Sequence, residues 1–328
     1  MKKNIAIVWG GYSSEKEVSE KSAVGIYSFI DKEKYNVYTV KIDHESWSAS
    51  YKNNTYPIDK NDFGFMADSE AIKFDFAYIT IHGTPGEDGT LQGYFDMLGI
   101  PYSNSGVLSS ALTFNKFVCN RYLKSFGIKV PESVLLKKNS VYNTDEIVAH
   151  LGLPVFVKPN AGGSSFGTTK VKDFSQLDKA VADAFNESSE VIVESFIAGT
   201  EVTCGCYKNG QGLQVLPLTE VVSHNEFFDY AAKYKGQVEE ITPARISKQM
   251  TRKIKETTSL IYDLVGAKGI IRADYIISAN TPVLLEINTT PGMTPTSFIP
   301  QQVAAANLSM TDVLSEIIEY EYSKVKSF

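Results

Sequence analysis

The chain has 328 residues, of which 43% are hydrophobic and 21% charged, with a formal charge of −6. That length exceeds one ordinary core and leaves room for two or three domains. The acidic balance argues against a nucleic-acid partner or an anionic membrane surface and favours a small-molecule substrate.

In chain order, the first hundred residues alternate strand and helix: a strand over 4–8, a helix over 18–29, strands over 36–41 and 76–81, and a helix over 90–98. This pattern predicts an open parallel sheet. Ligands of such sheets bind beyond the carboxyl ends of the strands, where loops 10–15 and 82–89 both fall, so these loops should meet. The apolar run 5–9 is too short for a signal-peptide core or a membrane span, so a cytoplasmic protein without membrane insertion is expected. Residues 46–68 are polar, aromatic-rich and weakly periodic, and read as irregular.

From residue 105 the pattern is a helix to 126, a strand over 133–136, a helix over 144–150, a strand over 155–158, a glycine-rich loop, a strand and a helix over 175–186. In that last helix Leu177, Ala180, Val181, Ala184 and Phe185 form one apolar stripe, suited to covering a small sheet. Several strands follow residue 190, then an irregular loop over 223–243. A helix over 248–265 turns Met250, Ile254, Ile261, Leu264 and Val265 inward, and an acidic hairpin and a helix over 311–322 complete the chain. Domain boundaries are expected near 104 and 190. Cys204 and Cys206 share one strand face and, with Cys119, read as buried thiols, since no further Cys or His lies at ligand spacing nearby.

Chemistry concentrates in the hairpin. Arg272 and Asp274 share one face of the first strand, Glu286 and Asn288 one face of the second. With Ala279, Asn280 and Thr281 as the turn, Arg272 falls opposite Asn288 and Asp274 opposite Glu286, with Cβ atoms about 4.5–5.5 Å apart. Two carboxylates so close repel unless a cation lies between them. Mg²⁺ suits hard oxygen ligands completed by water and phosphate. The alternative is a solvated hairpin with incidental charges.

The loop 158–167, Lys-Pro-Asn-Ala-Gly-Gly-Ser-Ser-Phe-Gly, follows an apolar strand, and its glycines allow backbone N–H groups to crowd round an anion. It is not a Walker loop, because the lysine precedes the glycines. A flexible hairpin flanked by solvated Lys158 and Lys116 is the plainer reading. The segment 191–201 is an apolar strand running into a second one, able to offer backbone groups to a purine edge and a carboxylate to ribose hydroxyls.

Taken together, Gly-Gly-x-Ser-x-Glu at 10–15, His82-Gly83 with the run 86–93, Lys158-Pro159 with Gly163-Ser164-Ser165, Asp229-Tyr230 with Ala232-Lys233-Tyr234, and Glu286-x-Asn288-Thr289 with the run 291–294 resemble the D-alanine:D-alanine ligase family of the ATP-grasp superfamily. The resemblance runs in order from about residue 4 to 320. It implies an α/β chain of three domains: 1–104, a substrate-binding α/β domain with the open parallel sheet; 105–190, a central subdomain with the glycine-rich loop; and 191–328, a carboxyl-terminal subdomain with the metal site and an omega-type loop. ATP would lie between the last two, with two Mg²⁺ or Mn²⁺ ions, and the product would be D-alanyl-D-alanine for peptidoglycan precursors, formed through D-alanyl phosphate. A homodimer is also implied.

Position by position, the resemblance gives Glu15 the ammonium of the first D-alanine, through a chain with Ser164 and Tyr234, and puts His82 near that substrate's carboxylate. Arg272 and the N–H of Gly292 would stabilise the tetrahedral centre, and Ser297 and Lys233 would hold the carboxylate of the second D-alanine. Lys116, Lys158, Ser165, Glu194 and Glu201 match ATP-contacting positions, Phe196 and Ile197 line the adenine slot, and Asp274, Glu286 and Asn288 match the metal ligands. Ser195 and Ala231 depart from the family pattern, the first bearing on adenine recognition and the second on loop stability. A relative using D-lactate or D-serine is the nearest competitor, and Tyr234 speaks against the lactate version. Intact Arg272, Asp274, Glu286 and Asn288 speak against a silent nucleotide-binding module, and Gly10-Gly11 lacks the dinucleotide spacing of a Rossmann dehydrogenase.

Overall fold

The structure, a computed structural model, describes residues 2–223 and 238–325. It opens with β1 (Lys3–Gly10), α1 (Lys16–Phe29), β2 (Tyr35–Ile42), β3 (Trp47–Tyr51), β4 (Asn54–Pro57), β5 (Phe65–Ala67), β6 (Glu70–Ile72), β7 (Phe76–Ile79) and α2 (Thr90–Leu98). Strands β2, β1 and β7 run parallel, and β3 and β4 extend them antiparallel in the order β4-β3-β2-β1-β7. The central strand is apolar from Ile5 to Trp9 because both its faces are covered there. Ile5 and Ile7 pack with Ala23 and Ile26 of α1, while Ala6 and Val8 pack with Phe65, Phe74 and Phe95. The stretch read as irregular, 46–68, holds three short strands. Their residues are too few to show periodicity, and a nest of aromatic rings including Tyr38, Tyr51, Tyr56 and Phe65 orders them.

The middle of the chain holds α3 (Val107–Phe114), α4 (Lys116–Ser125), β8 (Ser133–Lys137), α5 (Thr144–Leu151), β9 (Val155–Pro159), β10 (Thr169–Val171), α6 (Leu177–Ala184) and β11 (Glu190–Ser195). The single helix expected over 105–126 breaks at Asn115, whose side chain caps α4 by accepting the Val118 N–H at 3.0 Å. The antiparallel sheet β10-β9-β11-β8 is covered by Leu177, Ala180, Val181 and Ala184, the stripe read from the sequence. Because β11 belongs to this sheet, the crossing to the next one falls after residue 195.

The rest comprises β12 (Thr200–Asn209), β13 (Gly212–Val215), β14 (Thr219–Ser223), β15 (Val238–Ile241), α7 (Lys248–Leu264), β16 (Ile270–Ser278), β17 (Thr281–Asn288), α8 (Phe298–Ala305) and α9 (Met310–Val325). The strands form a six-stranded sheet ordered β15-β14-β12-β16-β17, with β13 on β12. Met250, Ile254 and Ile261 of α7 meet Cys204, Cys206, Tyr275 and Leu284 in one core. The three cysteines are buried and free, as read from the sequence. Helix α9 returns to the start: Leu314, Ile317 and Ile318 share a core with Ile5 and Ile7.

The loop after β17 docks on α1 through a backbone contact. A Cβ built on Gly25 would lie 2.1 Å from the Met293 carbonyl oxygen, so no side chain fits there. Gly93 of α2 offers the contrast, since its Cβ would meet only Val107 Cγ2 at 3.7 Å. Helical Gly→Ala ordinarily gains up to about 1 kcal/mol. We expect that gain for Gly93→Ala and a loss of about 1–3 kcal/mol for Gly25→Ala, from overpacking, as read by urea denaturation.

Candidate active site

A cavity of about 480 Å³ lies between the four-stranded and six-stranded sheets. Strand alternation builds its first wall: Val155 and Val157 of β9 face the α6 core, which sends Phe156 and Lys158 into the cavity. Lys158 Nζ pairs with Glu194 of β11 at 2.6 Å. Burial works against the lysine's charge, but Glu194 and then Glu286 outweigh it and hold its pKa above the ordinary value. The other carboxylate oxygen of Glu194 is buried and has no hydrogen-bond partner among the described residues. A buried acceptor of this kind is costly unless a donor reaches it, and the exocyclic amine of adenine is such a donor. Phe196, Ile197, Glu201 and Ser165 line the same cavity.

The second wall is the hairpin β16–β17. Its register is the expected one, with Arg272 opposite Asn288 and Asp274 opposite Glu286. The route to it differs. The turn has two residues, Ala279 and Asn280, both left-handed at φ 45° and 59°. A β-bulge beyond Asp274, where Leu285 is the extra residue, restores the pairing that a three-residue turn would have produced. Asp274 accepts Arg272 Nε and Nη2, each at 2.8 Å, the Asn288 amide at 3.0 Å and the Thr203 hydroxyl at 2.6 Å. Burial disfavours the Arg272 charge, but Asp274, with Glu286 and Glu87 farther off, holds the guanidinium firmly protonated. Lys116, at the first turn of α4, lies 3.5 Å from Glu286 and donates to the Gly162 carbonyl.

Two carboxylates and one amide on a single sheet face form a hard-oxygen donor set, which fits Mg²⁺ or Mn²⁺. Among the described residues no cluster of three His, Cys, Asp or Glu side chains could hold a metal, so the amide of Asn288 is needed to make up the set.

A second cavity, of about 230 Å³, adjoins the first and extends to α1 and the loop after β7. Glu15, just before α1, is 4% exposed there and accepts the Ser164 hydroxyl at 2.5 Å. The loop reaches it because residue 163 has no side chain: a Cβ on Gly163 would lie 2.8 Å from both Glu15 oxygens. Ser164 and Ser165 are held left-handed, at φ 50° and 59°, the kind of backbone strain that gathers at ligand clamps. His82 is buried, with Nε2 3.1 Å from the Ser22 hydroxyl. Burial, then the Arg272 charge, lowers its pKa to about 4, so the ring is neutral at pH 7. Gly292 and Ser297 line the same cavity, and the Ser297 hydroxyl accepts the Thr294 N–H at 3.1 Å.

The two cavities share one partition, made of Lys116, Gly162, Gly163, Arg272, Glu286 and Phe298. Of the candidate site residues, Lys233 and Tyr234, with neighbouring Ala231, lie outside the described residues, and the others line these two cavities. Sequence reading missed Glu87. It lies within a quoted motif, but nothing about an isolated glutamate showed that it would accept the Gly83 N–H at 2.7 Å and line the smaller cavity beside Glu15.

Comparison with known proteins identifies the family. Residues 4–105 match the family described as D-ala D-ala ligase N-terminus, and residues 122–319 match D-ala D-ala ligase C-terminus. The chain belongs to the D-alanine–D-alanine ligase family. A D-alanine–D-alanine ligase of Parabacteroides distasonis is 62% identical over 329 residues, spanning all of both chains. The solved VanG D-Ala:D-Ser ligase from Enterococcus faecalis aligns with a TM-score of 0.86 at 34% identity, covering 98% of this chain and 100% of its own. The D-alanine–D-alanine ligase from Bacillus anthracis complexed with ATP aligns with a TM-score of 0.80 at 29% identity, covering 99% of both chains. The α/β architecture, with its three larger sheets, is thus that of the ATP-grasp ligases. No helix among the described residues is long and apolar enough to cross a membrane.

The lowered pKa of His82 has a consequence for this ligase fold. The unfolded chain takes up a proton near pH 6.5 while the folded one resists until about 4, so stability falls as pH drops through that window. Between pH 7.5 and 5 the native chain should lose about 2 kcal/mol more than His82→Gln. Urea denaturation at the two pH values measures this, and parallel losses would assign the ring an ordinary pKa.

Proposed function

We propose that ATP occupies the larger cavity and the first D-alanine the smaller one, and that the partition between them is where phosphoryl transfer occurs. The supporting observation is that Lys116, Arg272 and Glu286 line both cavities, so charge moving from one to the other passes the same side chains. The reaction is ATP-dependent joining of two D-alanine molecules. The γ-phosphoryl moves to a carboxylate oxygen of the first D-alanine, its bond to ADP breaks, and D-alanyl phosphate forms. The amine of the second D-alanine attacks the carbonyl carbon, and phosphate leaves with the oxygen it acquired.

Catalysis of this kind rests on positioning and charge neutralisation. Lys158 and Lys116 offset phosphate charge, and Arg272 with the Gly292 N–H faces the developing oxyanion. Asp274, Glu286 and Asn288 would hold two Mg²⁺ or Mn²⁺ ions, which when bound polarise the phosphoryl oxygens. Glu194 accepts from the adenine amine, Phe196 and Ile197 flank the base, Glu201 takes the ribose, and Ser165 lies over the phosphates. Glu15, through Ser164, holds the first ammonium, His82 lies beside the first carboxylate, and Ser297 takes the second. Lys233 and Tyr234 are assigned by family resemblance to the second carboxylate and to the Glu15–Ser164 chain. The Ser164 contact with Glu15 closes the glycine loop over the reactants and keeps water from the acyl phosphate.

We further propose three units, divided near residue 104 and in the link between β11 and β12, a homodimer and a cytoplasmic location. Exposed Val24 on α1, Met97 on α2 and Leu108 on α3 support the dimer.

Phosphate release from ATP with D-alanine, D-serine or D-lactate as acceptor tests the assignment. Release with D-alanine, yielding the dipeptide, is expected; ATP hydrolysis indifferent to D-alanine would refute it. Glu286→Gln should lower turnover by at least about a hundredfold with unchanged circular dichroism, and near-normal turnover would remove Glu286 from the metal site.

A further inference from the structure

The smaller cavity holds a second carboxyl for which the proposed mechanism has no use. Glu87 follows β7 and reaches back to accept the Gly83 N–H at 2.7 Å. Gly83 separates it from Glu15: a Cβ built on Gly83 would lie 3.7 Å from Glu15 Oε2. Two carboxyls thus flank one glycine at the edge of one cavity. The charged or titratable groups facing Glu87 are Glu15 and Lys21 from the α1 side, His82 on its own loop, Lys116 on α4, and Glu240, Arg272 and Glu286 on the six-stranded sheet. Arg272 is committed to Asp274 and Lys116 lies against Glu286, while Glu87 makes no ion pair within 4 Å among the described residues.

We propose that Glu87 is a second binding carboxyl for the ammonium of the first D-alanine, sharing it with Glu15. A primary ammonium has three N–H donors and one charge, and two carboxylates on one side use both properties. A hydroxyl in its place supplies one donor and no charge, so the pair selects an amino acid for the first position. Before the ammonium arrives the two carboxyls repel across a buried space, and Glu87 keeps its proton: burial, then the Glu15 charge, raises its pKa to about 8. The incoming charge removes that penalty, and Glu87 gives its proton to solvent. Binding of the first D-alanine is therefore coupled to proton release.

This inference rests on assigning the smaller cavity to D-alanine, and the test separates the two. D-alanine is titrated calorimetrically into enzyme holding a non-hydrolysable ATP analogue, at pH 7 in two buffers of different ionisation enthalpy. About one proton released per first D-alanine is expected for the native chain, and close to none for Glu87→Gln, whose amide oxygen still accepts the Gly83 N–H. In steady state Glu87→Gln should raise KM for the first D-alanine about tenfold with kcat within about threefold. An unchanged KM, or native binding without proton release, overturns the role of Glu87. The native measurement alone decides the matter if the variant does not fold. Absence of any D-alanine binding would instead refute the cavity assignment.

Discussion

Arg272, Asp274, Glu286 and Asn288 share one face of a single antiparallel hairpin, and charges so placed cannot be buried one at a time. The pairing of β16 with β17 therefore constrains everything around it. Arg272 is spent on Asp274, so Glu286 needs a cation from elsewhere, and the lysine at the start of α4 lies 3.5 Å away. That lysine is placed by the break at Asn115, which ends one helix and begins the next aimed at the hairpin. Lys158 and Glu194 repeat the arrangement on the facing sheet. Buried pairs like these are weak contributors to net stability and strongly destabilising when one partner is removed. Their retention in the cavity walls fits a site whose charges are rearranged by a phosphate-bearing ligand.

The reach of the first and last segments of the chain follows from the same need to enclose the hairpin. Helix α9 packs on the strand that begins the chain, and the Met293 peptide sits directly on Gly25. These contacts hold the smaller cavity against the larger one, so that the Glu15–Ser164 hydrogen bond can span from the first sheet to the glycine loop. Rigid elements supply the acidic and basic groups, and the loop supplies closure.

Much of this was legible in the sequence because period-two alternation and helical stripes survive in strands and helices covered on one side. The α6 stripe and the inward residues of α7 are examples. The hairpin register was correct through two compensating departures, a turn one residue shorter and a bulge one residue longer. Pairing of strand ends is set by tertiary demand, and a sequence pattern does not distinguish the two routes. The strands within 46–68 were not legible, since three-to-five-residue strands are ordered by aromatic packing from distant segments. Glu87 was invisible for a related reason: its place in the smaller cavity beside Glu15, 72 positions earlier in the chain, is made only by the fold.

The partition between the cavities is proposed to let a phosphoryl group pass from ATP to a substrate carboxylate. D-alanine labelled with ¹⁸O in its carboxylate reports this directly when the phosphate released during dipeptide synthesis is examined by mass spectrometry. Transfer through D-alanyl phosphate predicts one labelled oxygen in each phosphate. Unlabelled phosphate accompanying normal dipeptide formation would contradict it.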